Sequence, residues 1–259
     1  MPERLNRSAI LSKLEAELLP LAFVQAMWEG GAAAFDRVDE WSDLDLQVVV
    51  DDERVEETAG VIEAALQQLS PIAIRYELPR PTWHGHYQVF ITLEMASPFL
   101  MVDLCIMQRS NPNRFLEPQI HGQAVVHFDK CGLTAAPTWD EAVWQVKIRE
   151  RLETMAIQFE LFQVLSEKEI SRGNWLEALA FYQGYTLRPL VEALRMKYSP
   201  HHYNFHTRYI HYELPAEVVT RLERLYYLPE PSRLASARQE AEAWFRELQA
   251  ELRAQFSKV

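Results

Sequence analysis

The chain has few cysteines, no long apolar run and no internal repeats, and each of these shortages excludes a class of protein. Its 259 residues include two cysteines, Cys105 and Cys131, which argues against a disulfide framework and favours the cytoplasm. No run approaches the roughly 20 apolar residues that a membrane span needs, and residues 1–11 lack the apolar core of a secretory signal. We therefore expect a cytoplasmic protein that does not act in a membrane.

Basic residues are also in short supply, and the charge is unevenly distributed. The formal net charge is -11, and residues 1–137 carry nearly all of it, with 10 Lys and Arg against 20 Asp and Glu. An acidic half is a poor partner for the phosphate backbone of nucleic acid, so we expect no nucleic-acid partner. It suits a cationic small molecule better, although acidity could equally serve only to keep the protein soluble.

The hydrophobic pattern changes near residue 135, which predicts two domains. Before that point extended apolar runs alternate with helical segments, and after it nearly every apolar residue recurs with helical period. The expected fold class is α/β (or α+β), with an N-terminal mixed-sheet domain over 1–135 and a C-terminal helical bundle domain over 136–259.

The same patterns predict individual elements. Strands are expected at 21–28, 44–50, 72–78, 87–93, 99–107 and 124–128, and helices at 8–19, 32–35, 52–69, 139–166, 175–198, 216–227 and 232–256. The expected N-caps are Ser8, Asp51 or Asp52, and Thr138, which forms a capping-box pattern with Glu141.

Three aspartates form the most informative pattern. Asp43 and Asp45 are two residues apart at the start of the expected strand 44–50, so both carboxylates project to one face while the alternate apolar residues face a core. Asp103 lies on an otherwise apolar face of the strand 99–107. Three converging carboxylates repel one another unless a cation lies among them. The pattern therefore predicts a divalent metal site, and Mg²⁺ prefers a few carboxylates plus substrate phosphates.

These aspartates follow a glycine turn at Gly30-Gly31, and together they suggest a family. The glycine pair, the Asp43-Leu44-Asp45 motif after eleven residues and the third carboxylate resemble the nucleotidyltransferase superfamily of the DNA polymerase β type. The helical second half is similar to its small-molecule branch, which includes aminoglycoside and lincosamide nucleotidyltransferases. The motif resemblance covers about residues 21–107, and the remainder matches in general plan.

The resemblance implies an activity. A nucleoside monophosphate would pass from ATP to a hydroxyl of a small molecule with the help of two Mg²⁺ ions, and an aminoglycoside-like antibiotic is the first acceptor to consider. Such a transfer needs positioning and charge neutralisation more than covalent chemistry from the protein. Asp43 and Asp45 would bind metal, and Asp103 would be a third ligand or the base that accepts the proton of the acceptor.

The resemblance also implies which residues contact the nucleotide. Gly30 and Gly31 would let backbone N–H groups approach the triphosphate, although many members have Ser where this chain has Gly31, which removes one contact. Ser42 would hydrogen-bond a carboxylate or phosphate, or else only form a turn before the strand. The helical domain would close the cleft, with Lys147 and Arg188 as the preferred phosphate-binding cations, against the alternative of solvated surface charges.

Several alternatives remain open at this stage. The chain could be a nucleotide-binding regulator or an antitoxin-like module that modifies a protein partner, or a degenerate fold without catalysis. His84-Gly85-His86 is a weak zinc signal and fits better with a loop that lines the acceptor side of the site or has no special role. Relatives occur as monomers and dimers, so both a monomer and a homodimer are open.

Overall fold

The computed structural model describes residues 4–256, and the chain forms two compact units, Met1–Trp139 and Asp140–Val259. The first is an α/β unit built on a mixed sheet and the second is helical, in agreement with the expected fold class. Among the described residues, no helix is both long enough and apolar enough to cross a membrane.

From residue 4 onward, the described part of the first unit contains six strands and four α-helices. The strands are β1 (Val24–Glu29), β2 (Leu44–Val50), β3 (Ile72–Glu77), β4 (Tyr87–Leu93), β5 (Met101–Gln108) and β6 (Val125–Asp129). The helices are α1 (Arg7–Leu18), α2 (Gly31–Ala34), α3 (Val55–Leu69) and α4 (Pro118–His121). Each strand starts or ends within a few residues of its predicted position, because alternating or continuous apolar runs bounded by turn residues are a strong local signal.

The strands form one sheet in the order β3-β4-β5-β2-β1-β6. The β2–β5 pair is parallel, and the other four neighbouring pairs are antiparallel. One face of the sheet packs against α1 and α3, and alternate residues of β2 from Leu44 to Val50 are buried in that core. The remaining side chains of β2 therefore point to the opposite face, as the alternation predicts.

The opposite face is covered over only part of its area. Near β1 the residues Trp28, Cys105 and Met107 pack beneath Leu116 of the segment that follows β5. Towards β3 the face is open, and 54% of Tyr76 is exposed. Functional side chains can therefore stand on this open part of the sheet without being buried.

Two predicted N-caps of the first unit are wrong. The cap of α1 is Asn6, whose side-chain oxygen accepts the N–H of Ala9, and Ser8 lies inside the helix. A 3₁₀ turn at Asp52–Arg54 precedes α3, so neither Asp51 nor Asp52 caps that helix through its side chain. Polar residues recur one or two positions apart at both sites, and only three-dimensional geometry selects which of them reaches the unpaired N–H groups.

The second unit is a set of helices around one core. Its helices are α5 (Glu141–Arg172), α6 (Trp175–Phe181), α7 (Arg188–Tyr198), α8 (Ile210–Glu213), α9 (Ala216–Tyr226) and α10 (Leu234–Phe256). The cap of α5 is Asp140 rather than Thr138, because the Asp140 carboxylate accepts the Val143 N–H and directly precedes the first helical residue.

The predicted helix 175–198 is interrupted by a π-helical segment at Tyr182–Leu187. Pro189 follows this segment and has no N–H to donate to the carbonyl of Tyr185 four residues earlier. That carbonyl instead accepts the side-chain amide of Gln163, 2.9 Å away on α5, and the other end of the same amide accepts the Thr186 hydroxyl. The irregular turn is therefore stabilised by a buried side chain from another helix, which local periodicity could not reveal.

A fully buried arginine stabilises the loop after α7. The guanidinium of Arg195 is 0% exposed and donates to Glu213, 2.6 Å away, and to the carbonyl oxygens of His206 and Arg208. Burial would raise the pKa of Glu213, but the hydrogen bonds and charges of Arg195 and His202 outweigh it and lower that pKa. The loop geometry thus depends on one long-range ion pair.

We expect Arg195→Met to lower the free energy of unfolding by about 3–5 kcal/mol, because it removes the buried guanidinium that pairs with the Glu213 carboxylate and donates to two loop carbonyl oxygens. The matched control is Arg253→Met, which breaks the exposed pair with Glu153 and should cost less than about 1 kcal/mol. Urea unfolding of both variants measures the difference. Equal losses for the two variants would contradict a special role for the buried pair.

Candidate functional site

Two of the three predicted carboxylates stand side by side on the open face of the sheet. Asp45 in β2 and Asp103 in β5 are direct partners in the parallel register, and both are half-buried. Neighbouring strands are about 4.8 Å apart, so the two side chains emerge at that spacing. Asp43 lies two residues earlier, just before β2 begins, and is also half-buried.

The structure does not gather the three aspartates into one closed metal cluster. Within residues 4–256, no group of three or more His, Cys, Asp and Glu side chains is arranged so that it could hold a metal ion by itself. This also gives no support to a zinc site at His84 and His86. Mg²⁺ commonly binds through one or two carboxylates and completes its shell with water and phosphate oxygens, so a carboxylate pair suits that ion chemically.

The backbone of Gly31 lies against the Asp45 carboxylate. Gly31 has a φ of +51°, and a Cβ atom added there would lie 1.7 Å from Asp45 Oδ2. The preceding Gly30 donates its N–H to the carbonyl oxygen of Asp45, 3.0 Å away, so that N–H is already used within the fold. A side chain at position 31 cannot coexist with this carboxylate position, which accounts for a glycine here.

Ser42 forms a turn before β2. Its hydroxyl donates to the Asp39 carboxylate at 2.7 Å and accepts the Asp39 N–H at 2.9 Å. These two bonds close the loop that leads into Asp43. Ser42 thus bonds a carboxylate, that of Asp39, and the same contacts form the turn before the strand.

An ionic network that the sequence did not reveal holds the start of β2. Arg7 on α1 donates to both the carbonyl oxygen of Asp43 and the buried carboxylate of Glu29. Glu29 also bonds His127 Nε2 at 2.9 Å. Burial would raise the pKa of Glu29, but the His127 hydrogen bond and the Arg7 charge outweigh it and lower that pKa. The network fixes the backbone that presents Asp43, yet its bonded pairs are 22 to 98 residues apart in the chain.

Asp103 is held by a second set of contacts. The side-chain amide of Gln88 on β4 donates to Asp103 Oδ1 at 2.6 Å. The oxygen of the same amide lies 2.9 Å from His84 Nε2, and His84 is 8% exposed. The sequence pattern placed His84 in a loop near the acceptor side without a defined partner, and it gave no signal for Gln88.

Aromatic side chains continue the row of the carboxylates across the sheet. Phe90 on β4 is the register partner of Asp103, and Tyr76 on β3 is the partner of Phe90. The rings of Phe90 and Tyr76 are stacked, with centroids 6.2 Å apart. The open face thus carries two acidic groups followed by an aromatic surface, which together can contact a molecule with both cationic and apolar parts.

Cys105 lies two residues beyond Asp103 on the same face. Burial and the nearby Asp103 charge raise the pKa of its thiol far above the usual range. A thiol in this state is a poor nucleophile and a poor metal ligand. Cys105 therefore acts as a core residue.

The two predicted phosphate-binding cations belong to the second unit. Lys147 is exposed, and its Nζ lies 5.9 Å from the ring centroid of Trp144. Arg188 is exposed next to the π-helical segment and lies 3.1 Å from His206 Nε2. Arg188 also lines a cavity of about 250 Å³ together with Tyr185. Arg188 thus has the more defined surroundings of the two.

We expect Gly31→Ala to destabilise the protein by about 1–3 kcal/mol, because the new methyl group collides with the Asp45 carboxylate and the backbone has a positive φ. The matched control is Gly60→Ala on the exposed side of α3, where no atom lies within 4 Å of the added Cβ. That change should stabilise the helix by about 0.5–1 kcal/mol. Denaturant unfolding measures both changes. An unchanged free energy of unfolding in Gly31→Ala would contradict the close contact between Gly31 and Asp45.

We expect Glu29→Gln to lower the free energy of unfolding by about 1.5–3 kcal/mol at neutral pH, because a charged hydrogen-bond acceptor of Arg7 is lost. The pKa of Glu29 is lowered in the folded state, so its contribution is complete above the ordinary Glu value of 4.5 and disappears as the pH falls through the folded value. The difference between the two proteins should therefore shrink below about pH 4.5. Unfolding curves from pH 3 to 7 measure it, and a constant difference would contradict the ionic origin.

The sequence matches no protein-family model and no curated protein. Several solved structures are similar to it, and two of them are adenyltransferases. An aminoglycoside 6-adenyltransferase from Bacillus subtilis has 12% identity and a TM-score of 0.39, over 96% of this chain and 91% of that one. A spectinomycin adenyltransferase from Enterococcus faecialis, solved with ATP and spectinomycin, has 12% identity and a TM-score of 0.36, over 96% of this chain and 100% of that one.

Proposed function

We propose that this protein is a nucleotidyltransferase that moves a nucleoside monophosphate from ATP to a hydroxyl group of a small molecule. The observation that carries the proposal is the register pairing of Asp45 with Asp103, beside the glycine backbone at Gly31. Two carboxylates placed together on one sheet face, beside a glycine turn, offer oxygen ligands to the metal ion of a metal-bound triphosphate.

We propose Asp43, Asp45 and Asp103 as the groups that hold Mg²⁺. The donor set fits this hard cation, since all three residues offer carboxylate oxygens and Asp45 and Asp103 are already adjacent. When bound, Mg²⁺ neutralises phosphate charge and stabilises the oxygens of an in-line displacement, and two ions are our expectation.

The roles of the three aspartates differ in this proposal. Asp45, pressed against Gly31, has little room to move and serves as the fixed ligand. Asp43 lies at the end of the loop that Arg7 and Ser42 hold in place. Asp103 is oriented by Gln88 and lies towards the aromatic side of the site, so we assign it the additional task of accepting the proton of the acceptor hydroxyl.

We propose Gly30, Gly31, Ser42, Lys147 and Arg188 for the nucleotide. The two glycines allow phosphate to approach closely, and Ser42 acts by forming the turn before Asp43. Lys147 and Arg188 supply positive charge for the triphosphate, and Arg188 is the stronger candidate because a guanidinium can bind phosphate through two hydrogen bonds.

The acceptor is proposed from charge and from the face that surrounds Asp103. The first 137 residues carry a net charge of -10, and Phe90 and Tyr76 extend the site with aromatic surface. Aromatic faces attract ammonium groups and pack against apolar ring faces. An amino-sugar antibiotic combines both features and also presents hydroxyl groups.

We expect pyrophosphate to be released from ATP, in the presence of Mg²⁺, only when a suitable acceptor is present. Asp45→Asn and Asp103→Asn should each reduce that release by about 100-fold or more, because they remove metal-binding or proton-accepting oxygen. The control is Asp52→Asn, since Asp52 lies beyond the opposite end of β2 and bonds the Ser110 N–H. A panel of amino sugars, spectinomycin, lincosamides and nucleosides tests the acceptor.

The same assay separates the alternatives. Release that survives Asp45→Asn would contradict the assigned site. Absence of release with every small-molecule acceptor, despite Mg²⁺-dependent binding of ATP, would contradict transfer to a small molecule and favour modification of a protein partner.

A further inference from the structure

Gln88 contacts Asp103 directly, and its orientation is set by its other neighbour. The Nδ1 atom of His84 accepts the backbone N–H of His86 at 3.1 Å. In a neutral imidazole the proton then lies on Nε2, which can donate to the oxygen of the Gln88 amide 2.9 Å away. The amide nitrogen of Gln88 is thereby directed at Asp103 Oδ1, at 2.6 Å. The three side chains form one polarised chain of hydrogen bonds.

The ring of His84 has little freedom to leave this position. It is 8% exposed and packs edge-on against Trp83, with centroids 4.9 Å apart, and against Phe115 at 6.0 Å. The Thr82 hydroxyl donates to the His86 carbonyl at 2.6 Å, which closes the loop around the ring. Packing and hydrogen bonds therefore fix the His84 ring, the first donor in the series of hydrogen bonds, without any bound ligand.

We propose that Gln88, oriented by His84, is a positioning residue that sets the direction of the Asp103 carboxylate towards metal and acceptor. This inference rests on the function proposed above. One oxygen of Asp103 is occupied by a neutral donor, which restrains rotation of the carboxylate without neutralising its charge. Groups that orient metal-binding carboxylates in this way commonly change metal affinity or activity by about 10- to 100-fold when they are removed.

The hydrogen bonds run in one order, from His84 through Gln88 to Asp103, and double variants can test that order. His84 acts only through Gln88, so loss of His84 should have no further effect once Gln88 is gone. His84→Phe keeps a ring that can pack against Trp83 and Phe115 but removes the donor. His84→Gln retains an amide N–H that can reach the position of Nε2 and should recover most of the lost function.

The experiment measures Mn²⁺ binding by electron paramagnetic resonance, as a stand-in for Mg²⁺, together with kcat and KM for pyrophosphate release and the unfolding midpoint. We expect Gln88→Leu to weaken Mn²⁺ binding and lower kcat by about 10-fold or more each, with little change in the KM for ATP. His84→Phe should show the same pattern more weakly, and the double variant should match Gln88→Leu. Gln108→Leu, at the far end of β5, is the control and should leave all values unchanged.

The outcomes distinguish this inference from the proposed function. Wild-type protein that neither binds Mn²⁺ nor releases pyrophosphate would contradict the function itself. Active wild-type protein with unchanged Mn²⁺ binding and kcat in Gln88→Leu would overturn the positioning role alone. A loss of kcat that follows a lowered unfolding midpoint in both His84→Phe and His84→Gln would also overturn it, since the residues would then be merely structural.

Discussion

The site depends on one electrostatic conflict, the placement of Asp45 beside Asp103 on adjacent parallel strands. Two unit charges about 5 Å apart repel by about 3 kcal/mol at an effective dielectric constant of about 20. The side-chain amide of Gln88 donates to Asp103 Oδ1 at 2.6 Å and orients that carboxylate beside Asp45. A cation bound beside two adjacent carboxylates reduces their mutual repulsion.

Packing on the other face of the sheet, against α1 and α3, keeps Asp45 and Asp103 close together. Alternate residues of β2 are buried against α1 and α3, and a shift of one residue would place Asp45 in that core and Leu44 on the open face. The hydrophobic pattern of β2 therefore determines the register, and the register determines the distance between the carboxylates. Arg7 adds a polar restraint from α1, because it bonds the backbone at Asp43 and the buried Glu29 together. Packing against α1 and α3 on one face of the sheet thus fixes the positions of the aspartates on the other face.

Much of the fold could be predicted from sequence, because strands and helices are specified by local patterns. Alternation predicted that Asp43 and Asp45 point to one side of their strand, but the sequence did not establish that β2 and β5 are neighbours, and this pairing is what places Asp103 beside Asp45. The contacts of Gln88 with Asp103 and of Arg7 with Glu29 could not be predicted, since they join residues from different elements with no shared motif. The π-helical segment before Arg188 was missed for the same reason, since its stability depends on a glutamine of α5.

Gly31 shows how the structure changes the meaning of a sequence difference. Considered as a motif position, glycine in place of serine removes a hydroxyl that could contact phosphate. In the fold, the backbone at this position approaches Asp45 so closely that any Cβ would overlap the carboxylate. The position of the Asp45 carboxylate therefore requires glycine at position 31. The chain lacks a serine hydroxyl there, but the Gly31 backbone lies closer to the carboxylate than a residue with a side chain could. Glycine at position 31 is therefore better explained by its contact with Asp45 than by the loss of a phosphate-binding hydroxyl.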